Sequence, residues 1–205
     1  MSLPKRSIMM LYSTSDASCH TTRIVLAEKN VNVDIQLVDP TKPCPEIAEV
    51  NPYQNLPTLI DRDLVLYEPN VITEYLDERF PHPPLLPVYP VSRAKSRLMR
   101  YRIHRDWYSQ MNRILYGDKE QAEAARKVLR DSLISVTPVF ADSPYFLSND
   151  FTLVDCCIAP LLWRLPEMDI TLPKTAKHIF EYMDRVFSRD SFQASLTEQE
   201  REMRD

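Results

Sequence analysis

The 205-residue chain contains a single glycine, Gly117, where average usage of about 7% would place roughly fourteen. Glycine lets a backbone approach phosphate groups or take strained turns, because it has no side chain. A dinucleotide-binding fingerprint, a phosphate-binding P-loop and the nucleophile elbow of hydrolases each need several glycines. The sequence therefore excludes all three.

Metal sites, disulfides and membrane spans also lack sequence support. The four cysteines show no Cys-x-x-Cys spacing, the four histidines are scattered and no HExxH motif occurs, so we expect no metal and no structural disulfide. No apolar run approaches the roughly 20 residues of a membrane-spanning helix. We expect no secretory signal, because the apolar core of the first residues is too short and no small-residue cleavage site follows it. The net charge of −4 argues against a broad nucleic-acid surface. We expect a cytoplasmic protein with no membrane partner.

The first 80 residues predict a small α/β domain of the order β-α-β-α-β-β-α. Its elements have clear apolar periodicity; they are strand 7–13, helix 19–30, strand 33–39, helix 45–51, hairpin strands 57–60 and 64–67, and helix 70–80. Ser18 is placed to cap the first helix. The hairpin turns at Asp61-Arg62-Asp63 without glycine.

After Phe80 the pattern changes. Five prolines in positions 81–90 cannot continue a helix or enter a sheet interior. Everything beyond them has helical periodicity, over ranges 91–116, 118–141, 152–165 and 174–189. We therefore predict two domains and a joining segment, which are residues 1–81, 91–205 and 82–90.

Two capping boxes are predicted in the helical domain. Thr152 and Asp155 begin an apolar, buried central helix. Thr197 and Glu200 can cap the charged last segment in the same way, and we interpret that segment as a solvated terminal helix or a frayed tail.

The element order and two motifs resemble the glutathione transferase superfamily. Leu56-Pro57, before a strand, resembles the cis-proline of that family, and the Thr152 box resembles the capping motif of its helical domain. This resemblance implies a thioredoxin-like N-terminal domain, an all-helical C-terminal domain and a dimer whose interface includes the first long helix.

Longer blocks resemble one branch of this superfamily, the stringent starvation protein A family of proteobacteria; they are RIVLAEK, YLDERFPHPPLLPVYPVSRAKSRL, LVDCCIAPLLWRLP and RDSFQASLTEQEREMR. The resemblance implies a non-catalytic, dimeric transcription regulator of the starvation response that binds RNA polymerase holoenzyme. Contact through a σ factor stays open, as does the choice between a homodimer and a heterodimer with a paralogue. DNA would be engaged only indirectly, and no cofactor is implied.

The residues needed by a glutathione transferase are poorly matched. The family's acidic-serine pair, which holds the γ-glutamyl group, corresponds to Glu68-Pro69, and Pro69 offers neither a hydroxyl nor a backbone N–H. The position that carries cysteine in thiol-transferring classes is Asp16, whose carboxylate would repel a thiolate. The alternative is an active glutathione-dependent transferase or thiol reductase with Cys19 as the reactive thiol. Its remaining donors would be Tyr12, Ser13, Ser15 and Ser18.

The proline cluster is the candidate partner-binding surface. Prolines restrict their own backbone and that of the residue before them, so the segment loses little entropy on binding. A plain interdomain linker is the alternative, but a linker needs neither the imidazole nor the phenol found here. The predicted contact residues are Pro81, His82, Pro83, Pro84, Leu85 and Tyr89. We assign no catalytic, cofactor-binding or metal residue.

A basic run opens the helical domain. Its Arg93, Arg97, Arg100 and His104 share one helical stripe. A DNA-binding face is one hypothesis, but the acidic remainder of the chain and the lack of a recognition-helix motif favour a solvated face or a dimer contact. Apolar neighbours for such a contact are Leu98, Tyr101 and Tyr108. Expected core residues are Trp107, Trp163, Cys156 and Cys157.

Overall fold

The computed structural model describes residues 9–204. Its N-terminal part consists of β1 (Met9–Ser13), α1 (Ala17–Glu28), β2 (Val33–Leu37), α2 (Pro45–Val50), β3 (Thr58–Asp61), β4 (Leu64–Leu66) and α3 (Pro69–Arg79). The strands form one sheet of order β2-β1-β3-β4, in which only β1 and β2 run parallel. The predicted β-α-β-α-β-β-α order is confirmed; residues 7 and 8 of the predicted first strand lie outside the described range.

The rest of the described chain consists of helices joined by turns and loops. It comprises α4 (Pro90–Ile103), one π-helical turn (His104–Tyr108), α5 (Ser109–Tyr116), α6 (Lys119–Ser135), a 3₁₀ turn (Thr137–Ala141), α7 (Leu153–Trp163), α8 (Lys177–Phe187), α9 (Asp190–Ser195) and α10 (Glu198–Glu202). The four predicted long helices are confirmed, whereas α9 was not predicted.

Helix α7 is the centre of the core. Every residue of it is buried, and it packs against α1, α4 and α8. The predicted capping box is present, and Asp155 also accepts hydrogen bonds from Phe146 N and the Tyr182 hydroxyl, at 2.9 and 2.8 Å. These bonds fix the start of α7 against the preceding loop and against α8. As predicted, the core includes Trp107, Trp163, Cys156 and Cys157.

Turns are built almost without glycine. Five non-glycine residues take a positive φ, namely Asn30, Gln54, Arg62, Leu147 and Asp169. Gly117, between α5 and α6, has an ordinary φ of −81°. Glycine is required there for space, because an added Cβ would lie 2.4 Å from the carbonyl oxygen of Arg113.

Asp16 caps α1, so the prediction that Ser18 is the cap is wrong. The Asp16 carboxylate accepts from Ser18 N and Cys19 N at 2.8 and 2.9 Å. The backbone is still extended at Asp16, with φ −75° and ψ 162°, as an N-cap requires. Ser18 already lies inside the helix, two residues too late to act as its cap.

The C-terminal segment is not a solvated tail. Its capping box between Thr197 and Glu200 is confirmed, but Glu200 is fully buried. Its carboxylate accepts from Arg23 of α1 at 2.6 and 2.7 Å, and from Arg164 at 2.5 Å. Two buried guanidinium groups need a counter-charge, and α10 supplies it by folding back onto the start of α1.

Candidate partner-binding surface and the glutathione position

The proline segment is held by a buried ion pair beneath it. Lys29, just after α1, donates to Asp77 of α3 at 2.6 Å and also to the Pro83 carbonyl. Asp77 in turn accepts from the backbone N–H groups of Leu85 and Leu86, at 2.8 and 3.1 Å. One lysine and one carboxylate thus fix the turn of the chain between the α/β part and the helices.

Further bonds hold the segment from the helical side. Leu153 N, at the start of α7, donates to the Leu85 carbonyl at 2.9 Å. Arg93 of α4 donates to the Pro87 carbonyl at 3.1 Å. The segment is therefore tied to α3, α4 and α7 by its own backbone, and its conformation does not depend on the proline rings alone.

Five of the six predicted contact residues are on the surface. Pro81, His82, Pro83 and Pro84 are exposed, and Tyr89 is 77% exposed, beside Val88 at 76%. The prediction that Leu85 belongs to this surface is wrong. It is 2% exposed and belongs to the main apolar core, because Asp77 and Leu153 pull its backbone inward. The surface residues are thus a set of prolines with one imidazole and one phenol.

A long groove runs beside the proline segment. We call it the α4 groove; its volume is about 1070 Å³. One wall is residues 83–88, the floor is the face of α4 from Ser92 to Arg102, and the other wall is the loop 145–152. Sequence reasoning missed the second wall, since the loop carries no motif of its own.

The basic stripe is engaged within the molecule. Arg97 and Arg100 both pair with Glu74 of α3, at 2.7 and 2.9 Å. Arg100 is 3% exposed and also donates to Asn70 and Thr73. These arginines fasten α4 to α3, so the hypothesis of a DNA-binding face loses the charges that it needs.

His104, the last residue of the stripe, also makes its contacts within the molecule. His104 is partly buried, and its ring packs against Tyr108 with centroids 4.5 Å apart. Burial and the nearby Arg100 lower the pKa of His104. Tyr108 is 4% exposed, so it cannot join a dimer contact, whereas Leu98 and Tyr101 are 59% and 57% exposed.

A second cleft, of about 640 Å³, lies at the N-terminus of α1, where β1 ends. This is the loop in which an enzyme of the predicted family would hold its thiol. Four carboxylate residues line the cleft: Asp16, Asp39, Glu167 and Glu198. Its one lining arginine, Arg164, is already paired with Glu200. The cleft therefore offers little attraction to an anionic peptide such as glutathione.

Cys19 is poorly placed to act as a reactive thiol. It is 0% exposed, and burial together with Asp16 raises its pKa to about 12. The hydroxyls beside it are engaged too: Ser13 accepts from Arg23 at 2.6 Å, and Ser15 bonds the Thr197 hydroxyl at 3.0 Å. A thiolate is the nucleophile in thiol exchange, so this loop is unsuited to the reductase alternative.

The structure places two features as the family resemblance implied, namely the cis-proline and the start of α3. The Leu56-Pro57 bond is cis, as predicted. Glu68 caps α3 and Pro69 is its first residue, so the position that would need a hydroxyl and an N–H has neither. Within residues 9–204, no group of three or more His, Cys, Asp or Glu could hold a metal ion, and no helix is long and apolar enough to cross a membrane.

Comparison with known proteins agrees with the architecture described above, an α/β part followed by a helical part. The model described as "Glutathione S-transferase, N-terminal domain" matches residues 17–79, and the corresponding C-terminal domain model matches residues 93–190. Glutathione transferase Omega 3C from Trametes versicolor superposes with a TM-score of 0.83 at 22% identity, over 94% of this chain and 90% of that one. The protein therefore has the glutathione transferase fold.

Its sequence relatives are more specific. A stringent starvation protein A homolog from Coxiella burnetii is 55% identical over 203 residues, covering 98% of this chain and 97% of that protein. A homolog of the same name from Pasteurella multocida is 52% identical over 194 residues, covering 94% and 92%. The chain belongs to the stringent starvation protein A family.

Proposed function

We propose that this protein is a non-catalytic transcription regulator that binds RNA polymerase holoenzyme during starvation stress, through the exposed face formed by Pro81–Pro84 and Tyr89. Membership of the stringent starvation protein A family supports this role, since the resemblance implies a polymerase-associated regulator. The observation that carries the proposal is the anchoring of an exposed proline segment by the buried Lys29–Asp77 pair.

This anchoring favours binding because it removes a cost of association. A mobile loop loses conformational freedom when a partner orders it, whereas a segment fixed by Asp77 and Leu153 has already lost it. What it presents is suited to contact: proline rings give flat apolar area, and His82 and Tyr89 add hydrogen-bonding groups. Aromatic groups on rigid supports are common binding hot spots.

The proposed mechanism is that of an adaptor. The protein would bias polymerase, directly or through a σ factor, towards particular promoters without reading bases itself. The internal pairing of Arg97 and Arg100 with Glu74 supports an indirect role for DNA. Dimerisation, with an identical subunit or a paralogue, would use the exposed Leu98 and Tyr101 of α4.

Two residues at the expected glutathione position argue against a catalytic role. Pro69 removes two donors from the expected γ-glutamyl position, and Asp16 replaces the expected thiol. We therefore expect no retention of the protein on immobilised glutathione and no conjugation of a generic electrophile to glutathione above background. Turnover in this assay would favour the transferase alternative.

Co-elution with purified RNA polymerase holoenzyme tests the proposal. We expect wild type to co-elute and a His82→Ala, Tyr89→Ala double variant to be lost from the polymerase peak. A matched control is the His178→Ala, Tyr116→Ala variant, which removes a partly exposed imidazole and an exposed phenol from other surfaces. Failure of wild type to co-elute at low salt would overturn the proposal. Co-elution of both double variants would return the cluster to the status of a linker.

A further inference from the structure

A cleft between α6 and the turn after α7 takes no part in the proposed function. Its volume is about 520 Å³, and it shares no lining residue with the proline segment, the α4 groove or the cleft at α1. Helix α6 contributes three cationic side chains to it, those of Arg126, Lys127 and Arg130, and residues 171–173 form the facing wall. Cationic charge is thus gathered on one concave surface of a protein whose net charge is −4.

Backbone carbonyls hold the two guanidinium groups of this cleft in place. Arg126 Nε donates to the Met168 carbonyl at 2.7 Å, and Arg130 Nε donates to the Thr171 carbonyl at 3.0 Å. Three backbone hydrogen bonds of 3.0 to 3.1 Å close the turn 164–170 that precedes Thr171. Because both acceptors belong to a fixed stretch of backbone, the two guanidinium planes are oriented before any ligand arrives.

The remaining N–H groups of the cleft lack acceptors. The structural bonds use Nε alone, so each arginine keeps both of its Nη groups. In the described part of the chain nothing accepts from the Nη groups of Arg130 or from Lys127, and Glu123 lines the cleft without pairing with a cation. Asp169 reaches one Nη of Arg126 only at 3.8 Å, beyond hydrogen-bonding distance, and its side chain is 85% exposed. The fastening of α6 to the turn therefore leaves most of the donors unused.

The arrangement of these donors suits a phosphate group. Arg126 and Arg130 are one helical turn apart, with about 5–6 Å between their Cβ atoms, so both can contact one ligand group. A phosphate offers three acceptor oxygens to the two guanidinium forks, whereas a carboxylate offers two and is satisfied by one fork. The Thr171 hydroxyl on the facing wall also makes no bond within residues 9–204. An extended polyanion such as duplex DNA would meet the carboxylates of Glu123 and Asp169, which favours a compact ligand.

We propose that this cleft binds the phosphate group of a small phosphorylated molecule, with the phosphate between Arg126 and Arg130 and with Lys127 adding attraction. The volume supports a ligand of this size, since small-molecule sites span about 300–1,000 Å³. The wall of residues 171–173 presents a hydroxyl and apolar surface to the rest of the ligand. This inference goes beyond the proposed function and does not rest on it, because the cleft is separate from the proline segment.

Nuclear magnetic resonance titration of the full-length protein tests the site. The probes are inorganic phosphate and AMP, with acetate as the carboxylate, all at low salt. We expect saturable shifts of the backbone amides of residues 126–130 and 168–173 with both phosphates, and binding at least about tenfold weaker with acetate. Tighter binding of AMP identifies a phosphate ester as the ligand and tighter binding of inorganic phosphate identifies the free anion; either result supports the inference.

Variants separate binding from folding. Lys127→Glu removes a side chain that makes no contact in the fold, and we expect it to weaken phosphate binding at least about fivefold. Arg130→Lys keeps the charge but loses the planar fork, so it should also weaken binding severalfold. The matched control is Lys95→Glu on α4, an equal reversal of charge at another exposed lysine, which should leave the affinity unchanged. Denaturant unfolding of each variant shows that its fold is intact.

Four results would overturn the inference: no saturation by about 10 mM phosphate, shifts confined to other residues, equal binding of acetate, or an unchanged affinity in Lys127→Glu. Tighter binding of a short DNA duplex, lost in Lys127→Glu, would assign the cleft to nucleic acid and also overturn it. The polymerase assay keeps the two proposals apart. Lys127→Glu should lose phosphate and still co-elute with polymerase, and a wild type that binds phosphate but never polymerase would overturn the proposed function alone.

Discussion

Lys29 and Asp77 form an ion pair of 2.6 Å in which the lysine side chain is fully buried. The pair joins the end of α1 to α3, and both of its members also bind the backbone of the proline segment. A charge pair of this kind is costly to bury, but once buried it makes one conformation of the segment strongly preferred over others. The candidate surface thus depends on two residues that no partner would touch.

Removing one member of this pair should release the proline segment from its fixed conformation and lower the stability of the whole protein. We expect Asp77→Ala to lower the free energy of unfolding by about 3–5 kcal/mol, because Lys29 stays buried without a counter-charge and two backbone N–H groups lose their acceptor. Denaturant unfolding followed by circular dichroism measures this loss.

The exposed pair of Lys42 and Asp39 provides the control for Asp77. Lys42→Ala should leave the unfolding curve unchanged within error, since exposed ion pairs contribute little. An Asp77→Ala protein as stable as wild type would show that the segment is held by its other contacts.

Much of the fold was predictable from local patterns. The β-α-β-α-β-β-α order and the Thr152 capping box follow from short-range periodicity and from residue types with strong backbone preferences. The cis Leu56-Pro57 bond was expected only from the family resemblance. The role of Asp16 as a cap was missed because Ser18, two residues later, is an equally good capping type.

Long-range pairing could not be predicted. In the sequence, Glu200 is one carboxylate among several in a charged terminal segment. It becomes a core residue only because the fold brings it next to Arg23, which is 177 residues away along the chain. The inward turn of Leu85 likewise depends on Asp77, whose position in α3 gives no signal in the sequence. The exposed residues of the candidate surface were therefore predicted correctly where proline itself keeps the chain at the surface. The prediction was wrong for Leu85, whose burial is decided by tertiary contacts.

Glu200 should be essential for the position of α10. We expect Glu200→Ala to destabilise the protein by about 3–5 kcal/mol, because Arg23 and Arg164 would remain buried without their shared counter-charge. Hydrogen exchange should rise first in residues 197–204, ahead of the sheet. Exchange that rises uniformly would mean that α10 is no separate unit of stability.

The free energy of unfolding should decrease below about pH 6.5 because of His20. Burial, then the charges of Arg164 and Arg23, hold the pKa of His20 well below its usual 6.5. The neutral ring accepts from Arg164 at 3.3 Å and bonds the Ser195 hydroxyl at 3.0 Å. Below pH 6.5 the unfolded chain binds one proton more than the folded one, so stability falls by up to about 1.4 kcal/mol per pH unit.

A His20→Gln variant isolates this contribution from the other titrating groups. Its unfolding free energy should depend less steeply on pH than that of wild type between about pH 7.5 and 5, although the variant is less stable at neutral pH. Parallel curves for the two proteins over this range would contradict the assignment of the proton to His20.

The four thiols should differ sharply in reactivity. Cys44 is partly exposed, whereas Cys19, Cys156 and Cys157 are buried, and burial raises the pKa of all three buried thiols. At about pH 8 we therefore expect iodoacetamide to label Cys44 alone in the folded protein, as read by peptide mass spectrometry. In guanidinium chloride all four should react, which controls for reagent and detection. Labelling of folded Cys19 at the rate of Cys44 would show that the loop after β1 opens, and it would restore the thiol reductase as a serious alternative.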